Sequence, residues 1–423
     1  MSRPLSGAFA DRADLRLAAS DRLLATGYPG DDGSRQPVHT VYLPADQFTP
    51  TTVAEWGARA RQAGDSVGGL PALAELAGLP STAAARTAAK LAREPIEDLR
   101  LDFEDGYGIR DDAIEDADAV TAARAVAVAV AAGEAPPFIG IRLKSFEAAT
   151  RRRGLRTLET FLCTLADAGE LPPGLLLTLP KVSTLDQVAV LVEACELLEA
   201  DLGIGPGRLR FELQMETAPM ILGPDGSCPI PAMIHRSGGR ISGLHYGTYD
   251  YSDSLQIAAP YQSMEHPAAD HAKAIMQVAV AGTGVRLSDG SSNVLPLGDD
   301  EQRRAAWALH ARLIRRALER GIYQGWDLHP AQLPTRYLAT YAFYRESFAA
   351  VATRLYNYVH HIESTILDEP ATARSLARLV HRGFSCGAID ADELAVATGL
   401  SEAELFLLAH PRAASTSQPT EGT

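Results

Sequence analysis

The sequence predicts an α/β fold, a TIM (β/α)8 barrel followed by a carboxy-terminal helical extension. Short apolar runs alternate with longer amphipathic segments along the chain, the pattern left by repeated βα units around a parallel sheet. Eight such runs can be found, the number that closes a parallel barrel. No Gly-rich phosphate loop joins the first strand to its helix, as an open dinucleotide-binding sheet would require.

The expected strands are His39–Pro44, Leu99–Glu104, Phe138–Lys144, Gly174–Lys181, Leu209–Glu216, Ile241–Tyr246, Gly284–Leu287 and Gln324–His329. Segments of helical composition follow most of them, among them Thr51–Ala63, Thr184–Ala200 and Asp300–Arg320. Val120–Ala132 is alanine-rich, too short to span a bilayer and interrupted by Arg124, so it reads as a packed helix. After His329 the pattern changes to long helices, Leu333–His361 and Ala371–Arg382, and a short helical pair around Asp390–Ala409. The chain is therefore expected to divide into an amino-terminal segment (1–37), a barrel (38–334), a helical extension (335–412) and a tail (413–423) whose Ser/Thr/Pro/Gly content predicts disorder.

With 423 residues, 46% hydrophobic and 22% charged, the chain has the composition of a globular protein and enough length for a barrel with appendages. A formal net charge of -14 argues against nucleic acid as a partner, while leaving room for a local basic pocket that takes an anionic metabolite. Four cysteines, without paired close spacing, read as reduced thiols. Residues Met1–Asp32 lack the continuous apolar run of a signal peptide, so a cytoplasmic protein with no membrane partner is expected. Barrels commonly associate, which makes a homo-oligomer the default.

Active sites of such barrels lie at the carboxy ends of the strands, and several strands here end in carboxylates. Leu101-Asp102-Phe103-Glu104-Asp105-Gly106 finishes strand two, Gln214-Met215-Glu216-Thr217 strand five, and Tyr246-Gly247-Thr248-Tyr249-Asp250 strand six. Two carboxylates from neighbouring strands, with water completing the shell, suit Mg2+ or the related Mn2+, and Glu216 and Asp250 are the expected ligands. An isolated Asp or Glu would instead be read as a solvated loop residue; the shared strand-end placement favours the metal.

Around these residues the sequence resembles the citrate lyase β-subunit-like (HpcH/HpaI aldolase) family, which includes malyl-CoA lyases and shares its phosphoenolpyruvate/pyruvate-type barrel with malate synthases. The resemblance spans roughly Val38 to Pro334. It is carried, in order, by Thr40-Val41-Tyr42-Leu43-Pro44-Ala45, Leu101-Asp102-Phe103-Glu104-Asp105, Leu179-Pro180-Lys181-Val182, Gln214-Met215-Glu216-Thr217 and Gly243-Leu244-His245-Tyr246-Gly247-Thr248-Tyr249-Asp250-Tyr251. The resemblance implies a magnesium held by Glu216 and Asp250, with Glu104 and Asp105 holding metal-bound waters and orienting Arg142. At Lys144 the family usually has asparagine, a departure that touches the substrate pocket.

Arg142 is expected to set a bidentate donor against a substrate carboxylate or enolate oxygen. Lys181, Gly247 and Thr248 are the further substrate-binding candidates. Lys181 is read as an electrostatic partner in preference to a Schiff-base nucleophile, because a neighbouring metal removes the need for an imine. The polar loop Ser288-Asp289-Gly290-Ser291-Ser292 reads either as an anion-binding loop that offers backbone donors to the substrate or as a simple turn, and His329, in Trp326-Asp327-Leu328-His329-Pro330, as an acid, a base, a wall residue or a packed histidine; Asp289 and His329 are the candidates for the general base. The expected activity is a magnesium-dependent carbon–carbon lyase or aldolase acting on a hydroxy-acyl-CoA or hydroxy-keto acid through a metal-stabilised enolate, with coenzyme A as one form of the substrate's carrier. A malate-synthase-like condensing enzyme, a phosphoenolpyruvate-handling enzyme and a non-catalytic metabolite-binding barrel are the alternatives.

Overall fold

The computed structural model describes residue 5, residues 7–362 and residues 368–412; the tail expected to be disordered lies outside them. The strands are β1 (His39–Pro44), β2 (Asp98–Asp102), β3 (Phe138–Arg142), β4 (Leu175–Leu179), β5 (Arg210–Met215), β6 (Ile241–Tyr246), β7 (Arg286–Ser288) and β8 (Gly325–Asp327). All pairings are parallel and run in the order β7-β6-β5-β4-β3-β2-β1-β8. A single bridge, Ser288 to Gln324, brings β7 against β8 and nearly closes the barrel. Backbone bonds from Asp289 N–H to the Gln324 carbonyl (2.8 Å) and from Trp326 N–H to the Gly290 carbonyl (3.3 Å) extend that seam.

Ahead of the barrel lies α1 (Gly7–Gly27), a helix with no buried residue. The connecting helices are α2 (Thr52–Asp65), α3 (Leu70–Leu76) and α4 (Ala84–Arg93) after β1, α5 (Asp112–Ala132) after β2, α6 (Arg151–Ala168) after β3 and α7 (Leu185–Asp201) after β4. The short α8 (Ala218–Ile221) and α9 (Ile230–Arg236) follow β5, α10 (Thr248–Ser254) and α11 (Pro267–Val280) follow β6, and α12 (Asp300–Glu319) follows β7. Both α7 and α12 start in capping boxes, Thr184 with Gln187 and Asp299 with Gln302, so their first turns keep no orphaned N–H at those positions. Among the described residues all four cysteines are free, and no helix is long and apolar enough to cross a membrane.

Strand alternation sends Leu99 and Leu101 of β2 into the apolar shell, and Asp98, Arg100 and Asp102 into the barrel. The interior is consequently polar. Arg100 donates to Thr178 (2.9 Å) and to Glu212 (2.7 Å), and also pairs with Asp98. His245 accepts the Trp326 indole N–H at Nδ1 (3.0 Å), which leaves its Nε2–H facing Glu212 at 3.1 Å. Burying this many charges is tolerable only because each finds a partner.

A second buried cluster sits between the barrel and its outer helices. Asp327 ends β8 and receives His39 from β1 (2.7 Å), His310 from α12 (3.0 Å) and the guanidinium of Arg336 (2.9 Å). Arg336 belongs to α13 (Leu333–Val359), whose first half, from Leu333 to Tyr344, packs into the barrel's core. Its second half, with Phe348, Ala352 and Leu355, forms a separate core with α14 (Pro370–Ser385), α15 (Ala391–Thr398) and α16 (Glu402–Ala409).

Candidate active site

Asp102 closes β2, and its carboxylate accepts the N–H groups of Glu104 (2.9 Å) and Gly106 (2.8 Å). Those two bonds pull the backbone out of the extended form, so β2 stops at Asp102 instead of reaching Glu104. Arg142 ends β3 in register with Asp102 and donates Nε to Oδ1 (2.7 Å) and Nη2 to Oδ2 (2.6 Å). Its remaining nitrogen, Nη1, faces Glu104 at 3.2 Å and Gln214 at 3.3 Å, while the guanidinium lies over the Tyr42 ring at 4.9 Å. Burial works against the charge of Arg142, yet Asp102 raises its pKa well above the ordinary value, so the cation is permanent. The two-pronged face of the guanidinium is engaged by Asp102, and the edge bearing Nη1 is the part turned toward Glu104.

Lys181 follows β4 with φ at +52°, in the left-handed region that a non-glycine residue enters only at a cost. That turn aims its backbone N–H at Glu216 Oε1 (2.6 Å). The ammonium pairs with Glu104, with Asp105 at 2.8 and 3.0 Å, and stands 3.7 Å from Asp250. Lys181 thus touches all four carboxylates that the strand-end motifs singled out. Glu216 is buried and Asp250, in the first turn of α10, is 42% exposed at its side chain. Gly247 makes the approach of β5 and β6 possible here, because a Cβ on it would fall 2.2 Å from Glu216 Oε2.

Five carboxylates (Asp102, Glu104, Asp105, Glu216 and Asp250) meet two cations at this mouth. The imbalance appears in their ionisation. Burial first, then the charges of Asp250 and Glu104, push Glu216 up to about 8. Burial, opposed by Arg142 and reinforced by Asp105, raises Glu104 to about 7. Burial also raises Asp250, with Lys181 pulling the other way and Asp105 adding to the rise. Asp105 moves down, since the Lys181 hydrogen bond and charge outweigh its desolvation. A set of hard oxygen donors with an uncompensated negative charge fits a divalent ion such as Mg2+ or Mn2+ in its chemistry. Among the described residues no three Asp, Glu, His or Cys side chains are drawn together closely enough to bind an ion by themselves. Glu104, Asp105 and Asp250 face the ammonium of Lys181, Glu216 its backbone N–H, and Asp102 the guanidinium of Arg142.

The remaining candidates take other positions. Asp289 is buried against Lys273 of α11 (2.9 and 3.1 Å) and accepts the Gly290 N–H, so its carboxylate is an ion-pair anchor of the β7 loop. His329 accepts the Ala331 N–H at Nδ1 (3.1 Å), which caps the turn after β8; Nε2 lies 3.3 Å from Arg59. Burial, and then the Arg59 charge, lower its pKa, so the ring is neutral. Thr248 is buried and its hydroxyl donates to the Ser291 carbonyl (3.3 Å), tying the β6 and β7 loops together. Lys144, where the family resemblance breaks, donates to the carbonyls of Phe103 (2.6 Å) and Gly108 (3.2 Å) and pairs with Glu115 at 2.8 Å. It fastens the β2 loop that carries Glu104 and Asp105.

Three contributors escaped the sequence reading: Asp102 as the clamp on Arg142, with Gln214 and Tyr42 as its other neighbours. The period-two alternation of Asp98, Arg100 and Asp102 was the available signal, since it puts three charged residues on one face of a buried strand.

No curated protein matches the chain. Among solved structures, the native malate synthase of Haloferax volcanii at 15% identity covers 89% of this chain and 98% of its own, with a TM-score of 0.49. The citrate lyase beta subunit of M. tuberculosis complexed with oxaloacetate and magnesium, at 16% identity, covers 73% of this chain and 98% of its own, with a TM-score of 0.42. An HpcH/HpaI aldolase/citrate lyase family protein from Burkholderia cenocepacia, at 17% identity, covers 75% of this chain and 95% of its own, with a TM-score of 0.40. A family model matches nearly the whole sequence: over residues 17–413 the chain fits the domain of unknown function DUF6986, and it belongs to that family.

Proposed function

We propose that this protein is a divalent-metal-dependent carbon–carbon lyase or aldolase acting on a hydroxy-acyl thioester or hydroxy-keto acid. The observation that carries the reading is the excess of carboxylate over cation at the strand ends, centred on Glu216 and Asp250. A magnesium or manganese ion held there would act as a Lewis acid that stabilises developing enolate charge. Asp102 fixes Arg142 so that its Nη1 edge can bind a substrate oxygen without reorienting. Glu104, raised to about 7, is matched to proton exchange near neutrality. Asp289 and His329 fit a general base less well, the one being paired with Lys273 and the other engaged in a cap.

The reading is tested by incubating the purified protein with Mg2+ and hydroxy-acyl thioesters or free hydroxy-keto acids, and assaying release of pyruvate, glyoxylate or acetyl-CoA. Glu216→Gln and Asp250→Asn should abolish metal-dependent turnover and weaken Mg2+ binding by calorimetry while the melting curve keeps a folded transition. Undiminished Mg2+ binding in both variants would overturn the assignment.

A further inference from the structure

We infer that the ammonium of Lys181 is an internal counter-cation standing in the place of the divalent ion, so that metal uptake is an exchange against this side chain. The inference rests on the metal reading above and goes beyond it by naming what sets the mouth's affinity.

Apart from the Nη1 edge of Arg142 on Glu104, one residue, Lys181, supplies the donors that meet the cluster. Its backbone N–H reaches Glu216, and its Nζ reaches Glu104 and Asp105 and stands 3.7 Å from Asp250. The backbone accepts a left-handed φ of +52° to make both contacts at once. Arg142, the other cation, is committed to Asp102 and cannot follow the charge of the cluster. Only Lys181 has an unbranched, rotatable stem that can withdraw, and its side chain, 22% exposed, has a route to solvent. The ammonium holds Glu104 and Asp105 and stands 3.7 Å from Asp250, while Glu216 is held separately by the backbone N–H, so the donors of suitable chemistry lean on Lys181 from two sides and do not converge on one point. When the ion enters, two positive charges replace one, the ammonium leaves still protonated, and no covalent bond changes.

The consequence is competition. A positive charge a few ångströms from an incoming dication opposes it strongly at the effective dielectric of a protein mouth. Removing that charge should therefore tighten metal binding, the reverse of what loss of a ligand or a positioning residue does.

The test is isothermal titration of Mg2+, and separately Mn2+, into the full chain and two variants at neutral pH, with melting curves as a check on folding. Lys181→Met keeps most of the volume and removes the charge; at least tenfold tighter binding than wild type is expected. Lys181→Arg keeps the charge and should stay within about threefold of wild type. Binding by Lys181→Met that is equal to or weaker than wild type, in a folded variant, overturns the exchange and leaves the metal reading standing. Tight binding by Lys181→Met with none by wild type supports both. No binding by any of the three proteins overturns the metal reading and the exchange with it; a Lys181→Met variant that does not fold, beside a Lys181→Arg variant that binds tenfold tighter than wild type, likewise overturns the exchange.

Discussion

The mouth of the barrel and the Asp327 cluster hold the same kinds of side chain in opposite balance. Around Asp327 a single buried carboxylate meets one arginine and two histidines, and its pKa falls well below the ordinary value because Arg336 and His310 outweigh the cost of burial. Around Lys181 the carboxylates outnumber the cations, and Glu216 and Glu104 are pushed up to about 8 and about 7. A saturated charge has no further capacity and serves the fold; an unsaturated set holds a standing demand for positive charge, which is what a binding site needs. Strand position separates the two, since Asp327 faces α12 and α13 outside the barrel whereas Glu216 and Asp250 face its open end.

The comparison breaks first at Asp327. Asp327→Ala would leave Arg336, His39 and His310 buried without their common acceptor, and a loss of about 3–5 kcal/mol in unfolding free energy is expected from denaturant titration. A loss under 1 kcal/mol would mean that the cluster is less saturated than its contacts imply.

Next in size is Arg142→Lys, which keeps the charge but gives up the fork that grips Asp102. A decrease in kcat/KM worth about 2–3 kcal/mol is expected, with Mg2+ binding retained. Steady-state kinetics beside melting curves reads it; unchanged kcat/KM with a lowered melting temperature would place Arg142 in the fold alone.

The smallest effect has a sign that the Asp327 cluster could not produce. A carboxylate raised to about 8 in the native state and near 4.5 when unfolded is carried without penalty below pH 4.5, and it costs stability progressively as pH rises toward and through 8. Without added metal, Glu216→Gln should therefore be more stable than wild type at pH 9, by about 1–3 kcal/mol, with the gain fading as pH falls to 4.5. Thermal melts across that range measure it, and a variant less stable than wild type at pH 9 would contradict the imbalance.

Much of this architecture was legible in the sequence because strand and helix periods are local. The bounds of β1 and β6 coincide with those read from the apolar runs, and the helices after β8 fall where the long periodic segments placed them. The ends of β2 and β8 were read too far, since side-chain bonds to Asp102 and the cap made by His329 stop the extended backbone, and neither is encoded in hydropathy. α1 was not foreseen: it buries nothing and leaves no strong apolar stripe. At the mouth, the residues that meet were nearly all named from the strand-end motifs. Their roles were less visible, because the pairing of Arg142 with Asp102 and the reach of Lys181 depend on register and on one backbone angle.

The helix α13 carries a mechanical consequence. Its 27 residues form a rod roughly 40 Å long whose first half belongs to the barrel's core and whose second half belongs to the core of α14, α15 and α16. Arg336, on the barrel half, also clamps the strand that closes the sheet. Strain applied to the carboxy-terminal helices would run along this continuous hydrogen-bonded spine to β8, and the two cores, sharing one lever, are expected to melt together in a single calorimetric transition.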